Sequence, residues 1–212
     1  MNSDKVVAGL SAIREFGETV MTEVKESRGK TMSPPTSQLF AERFRNWYEY
    51  ERDCNAKSLQ MLRSVPTEAR AAPQFARAVG KMAHLVAARH MCLFRLGVVS
   101  DRPDSWFPPT TLEQLPAAVE AVEQRWSAHL ARLTDADLAT DFVWAGSDGR
   151  RFRWRLLDLL TQVFGHAWYH RGQIAMLVKD LGGEAIDTDY IFWNRPTVVE
   201  DAAANQGAAH GG

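Results

Sequence analysis

The sequence predicts an all-α protein: a four-helix bundle with an additional N-terminal helix and a small β-hairpin before the last bundle helix. Three observations carry that expectation. Apolar residues recur at alternating intervals of three and four over five long stretches, the spacing that gives a helix one apolar face. Proline and glycine clusters punctuate those stretches, and both residue types end helices. One pair of short segments instead alternates apolar and polar residues on either side of a glycine-containing turn, the pattern of a hairpin.

From Asp4 to about Lys25, Val6, Leu10, Ile13, Val20 and Val24 form an amphipathic helix whose stripe needs the outside of the bundle or a partner subunit to cover it. Ser27 to Thr36, with Pro34 and Pro35, reads as a linker, so residues 1–36 stand apart from a bundle domain at 37–197 and a disordered tail at 198–212. Leu39 to Leu62 is the first bundle helix, with Phe40, Phe44, Trp47, Cys54 and Leu62 along one face and Glu51 among them. Pro66 breaks it, and Pro73 suits the first turn of a second helix, Gln74 to Leu96, which Gly97 stops.

The connection from Arg102 to Pro109 carries Trp106 and Phe107, expected to cover the bundle's end as a lid. Thr110 and Glu113 have the spacing of a capping box opening the third helix, whose face is Leu115, Val119, Val122, Trp126, Leu130 and Leu133 with His129 at its edge. Phe142-Val143-Trp144 and Phe152-Arg153-Trp154 flank the turn around Gly146 and Gly149. The last helix carries Leu156, Leu160, Val163, Ala167, His170, Ile174, Leu177 and Leu181 at helical spacing and ends at Gly182-Gly183.

A chain of 212 residues suits one well-buried domain with extensions. A formal net charge of -1 and a pI near 6.6 supply no basic footprint, so nucleic acid and anionic membranes are not the expected partners. No apolar run reaches the roughly 18 residues of a membrane span, and the N-terminus lacks a secretory layout, which makes the cytoplasm the expected location. Cys54 and Cys92, in no CxxC arrangement, read as buried thiols of a reducing compartment.

His166 and His170, four residues apart, are about 400° of rotation and about 6 Å of rise from one another on a helix, so one ion can bridge them. The apolar spacing puts His170 in a core slot, where an unsatisfied imidazole nitrogen costs about 1–3 kcal/mol. Spacing alone leaves two readings open, a metal pair and a hydrogen-bonded structural pair. Ala167 stands where HExxH proteases carry their glutamate base, which argues against that chemistry. In the second helix His84 lies off the densest apolar arc, but its own strip of Gly80, Ala87, Ala88 and Met91 is small and apolar. A helix apolar on two sides is buried on two sides, so His84 is expected to be buried beside a cavity. His90 has no partner at metal spacing, and His210 lies in the expected tail.

The string Gly165-His166-Ala-Trp-Tyr-His170-Arg171-Gly172-Gln173-Ile174, followed by Leu181-Gly182-Gly183 and Asp187-Thr188-Asp189-Tyr190, resembles the closing helix of the DinB-like family of small metal-binding helical bundles. Met82 to Arg89 and Leu93 to Leu96 resemble that family's second helix, and the likeness runs from about Gln38 to Trp193. It implies metal ligands at His84, His166 and His170, and a homodimer. Imidazole donors suit zinc or nickel, and three protein ligands leave a coordination position open, as catalytic sites do.

The resemblance further implies a metal-dependent enzyme that transfers a low-molecular-weight thiol to an electrophilic small molecule; a non-catalytic binding or interaction bundle and a metal-dependent hydrolase are the alternatives. Arg171 and Gln173 would orient the ligands or an anionic substrate, or serve as an interhelical packing element. Glu51 would stand behind the metal or pair with an arginine, and Asp189 would pair with Arg171. Arg89 and Cys92 depart from the family's usual acidic residue and tryptophan, which leaves the cavity wall particular to this chain.

Overall fold

Long amphipathic stretches and their stop signals give α1 (Leu39–Ser64), α2 (Pro73–Arg95), α3 (Leu115–Arg132), a short α4 (Asp135–Leu138), strands β1 (Asp141–Ala145) and β2 (Arg151–Arg155), then α5 (Leu156–Asp180) and a short α6 (Tyr190–Asn194). The structure is a computed structural model that describes residues 39–195 except Ser147. The expected N-terminal amphipathic helix, its linker and the C-terminal tail lie outside the described residues.

The described chain is predominantly helical, and its four long helices form the bundle with the two-stranded hairpin immediately before the last of them. α1 and α2 lie across one diagonal, and each packs along both α3 and α5. A 3-10 turn at Thr67–Ala71 bridges the proline break between α1 and α2. Pro73 opens α2 at a position where its missing N–H costs nothing. The left-handed Gly97 (φ 71°) closes it, with Val98 N donating to Leu93 O at 2.9 Å. Gly182 (φ 78°) does the same for α5, with Gly183 N donating to Val178 O at 2.9 Å. The free N–H groups at the start of α1 are met from across the chain: Ala41 N donates to Asp135 Oδ1 at 2.7 Å.

Two expectations are corrected here. The third helix begins at Leu115 without a side-chain cap; Thr110 Oγ1 instead donates to Pro108 O, and Gln114 Oε1 accepts from Thr111 N at 2.9 Å. The true capping box is Thr134 with Asp137, on the short α4. Phe40, assigned to the core face of α1, is 56 % exposed, because the face that packs inward so close to the helix start runs through Ala41 and Phe44.

Two apolar clusters fill the bundle. One gathers Leu62, Val65, Met82, Leu115, Ile174 and Val178; the other gathers Phe44, Leu93, Trp126, Leu130, Leu160 and Phe164. Charge separates them on α1 and α2. Glu51 (2 % exposed) accepts from Arg89 Nε at 2.7 Å and from Arg89 Nη2, and Arg171 Nη2 lies 3.6 Å from its Oε2. Arg89 touches every other long helix: Glu51 on α1, the Trp126 ring on α3 at 5.5 Å and the Phe164 ring on α5 at 4.9 Å. Its own carbonyl accepts from Trp126 Nε1 at 3.1 Å.

Removing one member of a buried ion pair strands the others, at a cost of about 3–5 kcal/mol. Glu51→Ala is therefore expected to lower Tm on the order of 10 °C, whereas Arg153→Ala, which breaks the exposed Arg153–Asp141 pair, leaves it nearly unchanged. Thermal melts of the two variants check this, and equal melting would contradict it.

Candidate metal centre

α2 and α5 pass side by side, and at their contact three imidazoles meet. His166 Nε2 lies 3.0 Å from His170 Nε2 and 3.3 Å from His84 Nε2. His84 is 7 % exposed, as its small apolar strip implied; His166 and His170 are half-buried. Among the described residues these three form the one cluster of His, Cys, Asp and Glu able to hold a metal ion.

The neighbours of the rings decide which nitrogens carry lone pairs. Trp106 O is 2.7 Å from His84 Nδ1, and a carbonyl only accepts, so Nδ1 holds the proton and Nε2 is left as an acceptor. Lys81 Nζ donates to Gln173 Oε1 at 2.6 Å, which fixes the orientation of the amide because an ammonium only donates. The same oxygen lies 2.9 Å from His170 Nδ1 and accepts its proton, again leaving Nε2 bare. Two bare Nε2 atoms thus face His166 Nε2, which can offer a proton to only one of them. A cation at their meeting point satisfies all three. Two nitrogens bound to one ion at about 2.0–2.1 Å stand roughly 3 Å apart, which matches both separations.

Burial, then the neighbouring His170, His84 and Arg89 charges, bring the His166 pKa down to about 4. His170 is also lowered, chiefly by burial. Both rings are therefore neutral at pH 7, the form that binds metal. Phe107 stacks on the His84 ring, with centroids 4.3 Å apart and planes 9° off parallel, so the expected lid lies over a candidate ligand.

Around the cluster, Gln173 touches His170 directly. Arg171, not His170, takes the central core slot of α5: it is 2 % exposed and faces Glu51. The buried line runs Leu160, Phe164, Ala167, Arg171, Ile174, Val178, which turns His170 toward α2. Asp189 does not pair with Arg171; it caps α6 by accepting from Ile191 N at 3.3 Å. His90 contacts Asp101 at 3.0 Å, and His129 packs edge-on against Trp126. Lys81 and the Trp106 carbonyl escaped the sequence reading. Lys81 could have been noticed three positions before His84; a backbone acceptor from a distant loop has no sequence signal.

A cavity of about 260 Å³ abuts His166, walled by Trp106, Phe142, Trp144 and Trp154. Cys92 forms part of its wall, with burial pushing its thiol up to about 11, so it stays protonated. A larger cavity of about 630 Å³ beside Trp47 and Trp168 touches none of the three histidines.

The pH dependence of the metal-free protein follows from the lowered histidines. Below the ordinary imidazole pKa near 6.5 the unfolded chain takes up protons that folded His166 refuses until about pH 4, so stability is full above 6.5 and is lost as pH falls through that window. Tm of chelator-treated protein is expected to fall between pH 6.5 and 5, and His166→Gln to flatten that fall. Parallel curves for the two proteins would contradict it.

The comparisons with known proteins agree with this architecture. The family model described as DinB family matches residues 32–205. No curated protein and no solved structure matches the chain. Since the family match takes in all four long helices, the hairpin and each of the three convergent histidines, the chain belongs to the DinB family.

Proposed function

We propose that this protein is a metal-dependent transferase that moves a low-molecular-weight thiol onto an electrophilic small molecule, with zinc or nickel held by His84, His166 and His170. The observation that carries the reading is the convergence of three Nε2 atoms, with no fourth side-chain donor in the cluster among the described residues, beside an aromatic cavity. Three protein donors leave room for an exchangeable ligand, which distinguishes catalytic from structural sites. A divalent ion bound there supplies a Lewis acid that lets a thiol ionise near neutral pH.

The chain's own residues do the rest. Gln173 and the Trp106 carbonyl hold two rings with Nε2 inward. Arg171 and Glu51 position α5 from behind, and Asp189 holds the segment after it. The cavity's aromatic walls supply apolar contacts for the electrophile. In the reaction the thiol S–H bond breaks and its proton passes to solvent. The sulfur pair forms a bond to the electrophilic carbon, and the leaving group departs with its bonding pair. Neither cysteine takes a covalent role, because burial holds both thiols in the protonated, weakly nucleophilic form.

Elemental analysis of protein purified without a histidine tag is expected to find about one zinc or nickel per chain, falling to background in His84→Ala and His166→Ala. Gln173→Leu keeps the three ligands and is expected to weaken metal affinity about 10–100-fold. Conjugation of a thiol to a haloaromatic electrophile is expected to follow metal content across these variants. Unchanged metal in His166→Ala would refute the site, and ester or amide turnover without added thiol would refute the transferase.

A further inference from the structure

The hairpin before α5 is built in an unusual way. Pairing Phe142 with Trp154 and Trp144 with Phe152 puts four aromatic rings on one face of the ribbon, while Asp141, Val143, Arg151 and Arg153 take the other. The rings stack along the ribbon, Trp144 lying 5.3 Å from Phe152 and 5.4 Å from Phe142. Three of them, Phe142, Trp144 and Trp154, wall the cavity that abuts His166, and Trp106 from the long connection also lines it.

Arg95, at the end of α2, lies between two of these indoles, its Cζ 5.2 Å from the Trp106 ring and 5.8 Å from the Trp144 ring. A guanidinium attracted to ring faces by its charge keeps N–H donors to offer an acceptor. Among the described residues nothing accepts a hydrogen bond from Arg95, it has no ion pair, and the cavity lining holds no carboxylate. Three other sheltered arginines have acceptors: Arg89 has Glu51, Arg45 has the Leu130 and Leu133 carbonyls, and Arg70 has the Val65 carbonyl, while Arg171 lies 3.6 Å from Glu51. Arg95 thus presents an unspent cation inside an aromatic slot.

We infer that this slot is a binding site for a small planar anion, an aromatic or conjugated carboxylate, with Arg95 taking the carboxylate and the indoles taking the π-face. A volume near 260 Å³ suits one or two fused rings. The far end of such a ligand reaches His166, so on the transferase reading above the site selects the electrophile. Trp106 couples the two regions, since its carbonyl fixes His84 while its ring packs on Arg95.

The test is titration of 2-naphthoate and its neutral counterpart 2-naphthamide into chelator-treated protein, followed by calorimetry and by quenching of tryptophan fluorescence. Removing the metal keeps the probe from ligating an ion, so the outcome is independent of metal content and of turnover. The carboxylate is expected to bind about tenfold or more tightly than the amide, the usual gain from a charge-assisted hydrogen bond. Arg95→Met is expected to erase that difference, and Trp144→Leu to weaken both probes. Arg95→Lys keeps the charge without the planar fork and is expected to fall between wild type and Arg95→Met, which separates a lost contact from a lost fold. Equal affinity for the two probes, failure of both to bind, or an unchanged preference in Arg95→Met would overturn the inference and leave the metal centre untouched.

Discussion

Glu51 is the contact on which the bundle's register depends. Its single carboxylate faces two guanidinium groups from two different helices, Arg89 on α2 and Arg171 on α5. A buried carboxylate and its partners tolerate little sliding, because each ångström of separation forfeits the attraction that offsets their desolvation. Arg171 directly follows His170, and Arg89 lies five positions beyond His84. Anchoring both arginines to Glu51 sets the height at which α2 passes α5, and so brings the histidines of the two helices level.

That level is occupied by groups that repel one another unless something positive lies between them. Trp106 O and Gln173 Oε1 take the Nδ1 protons of His84 and His170, forcing their Nε2 lone pairs toward His166. Burial, then the neighbouring His170 and His84 and last the Arg89 charge, keep His166 from resolving the conflict by protonation. Each device is ordinary alone. Together they build a concave cluster of ring nitrogens whose spacing suits one small cation, held on long helices and not on loops, which limits its drift.

Much of this was legible in the residues. The helical spacing located all four long helices, and the alternation around Gly146 and Gly149 located the hairpin, because these patterns follow directly from burial on one face. His84 was legible for a subtler reason: the small apolar strip around it implied a second buried side of α2. What failed depended on partners distant in sequence. His170 fits the apolar spacing of α5, yet with Glu51 opposite it Arg171 takes the core slot and the histidine turns to α2. The Thr110 and Glu113 spacing suited a cap, but Leu115 and Pro116 set the helix start. Asp189 had a nearer task at the N-terminus of α6 than reaching Arg171. The carbonyl of Trp106 comes from a loop whose path only the folded chain defines.

The central claim is that three imidazoles bind one ion through Nε2 and leave a position for exchange. X-ray absorption at the metal edge of the zinc-loaded protein tests it most directly. The account predicts three imidazole nitrogens at about 2.0–2.1 Å with one further light oxygen or nitrogen atom, and replacement of that atom by sulfur at about 2.3 Å when a small thiol is added. Two or fewer imidazoles, or sulfur already present before thiol is added, would contradict it.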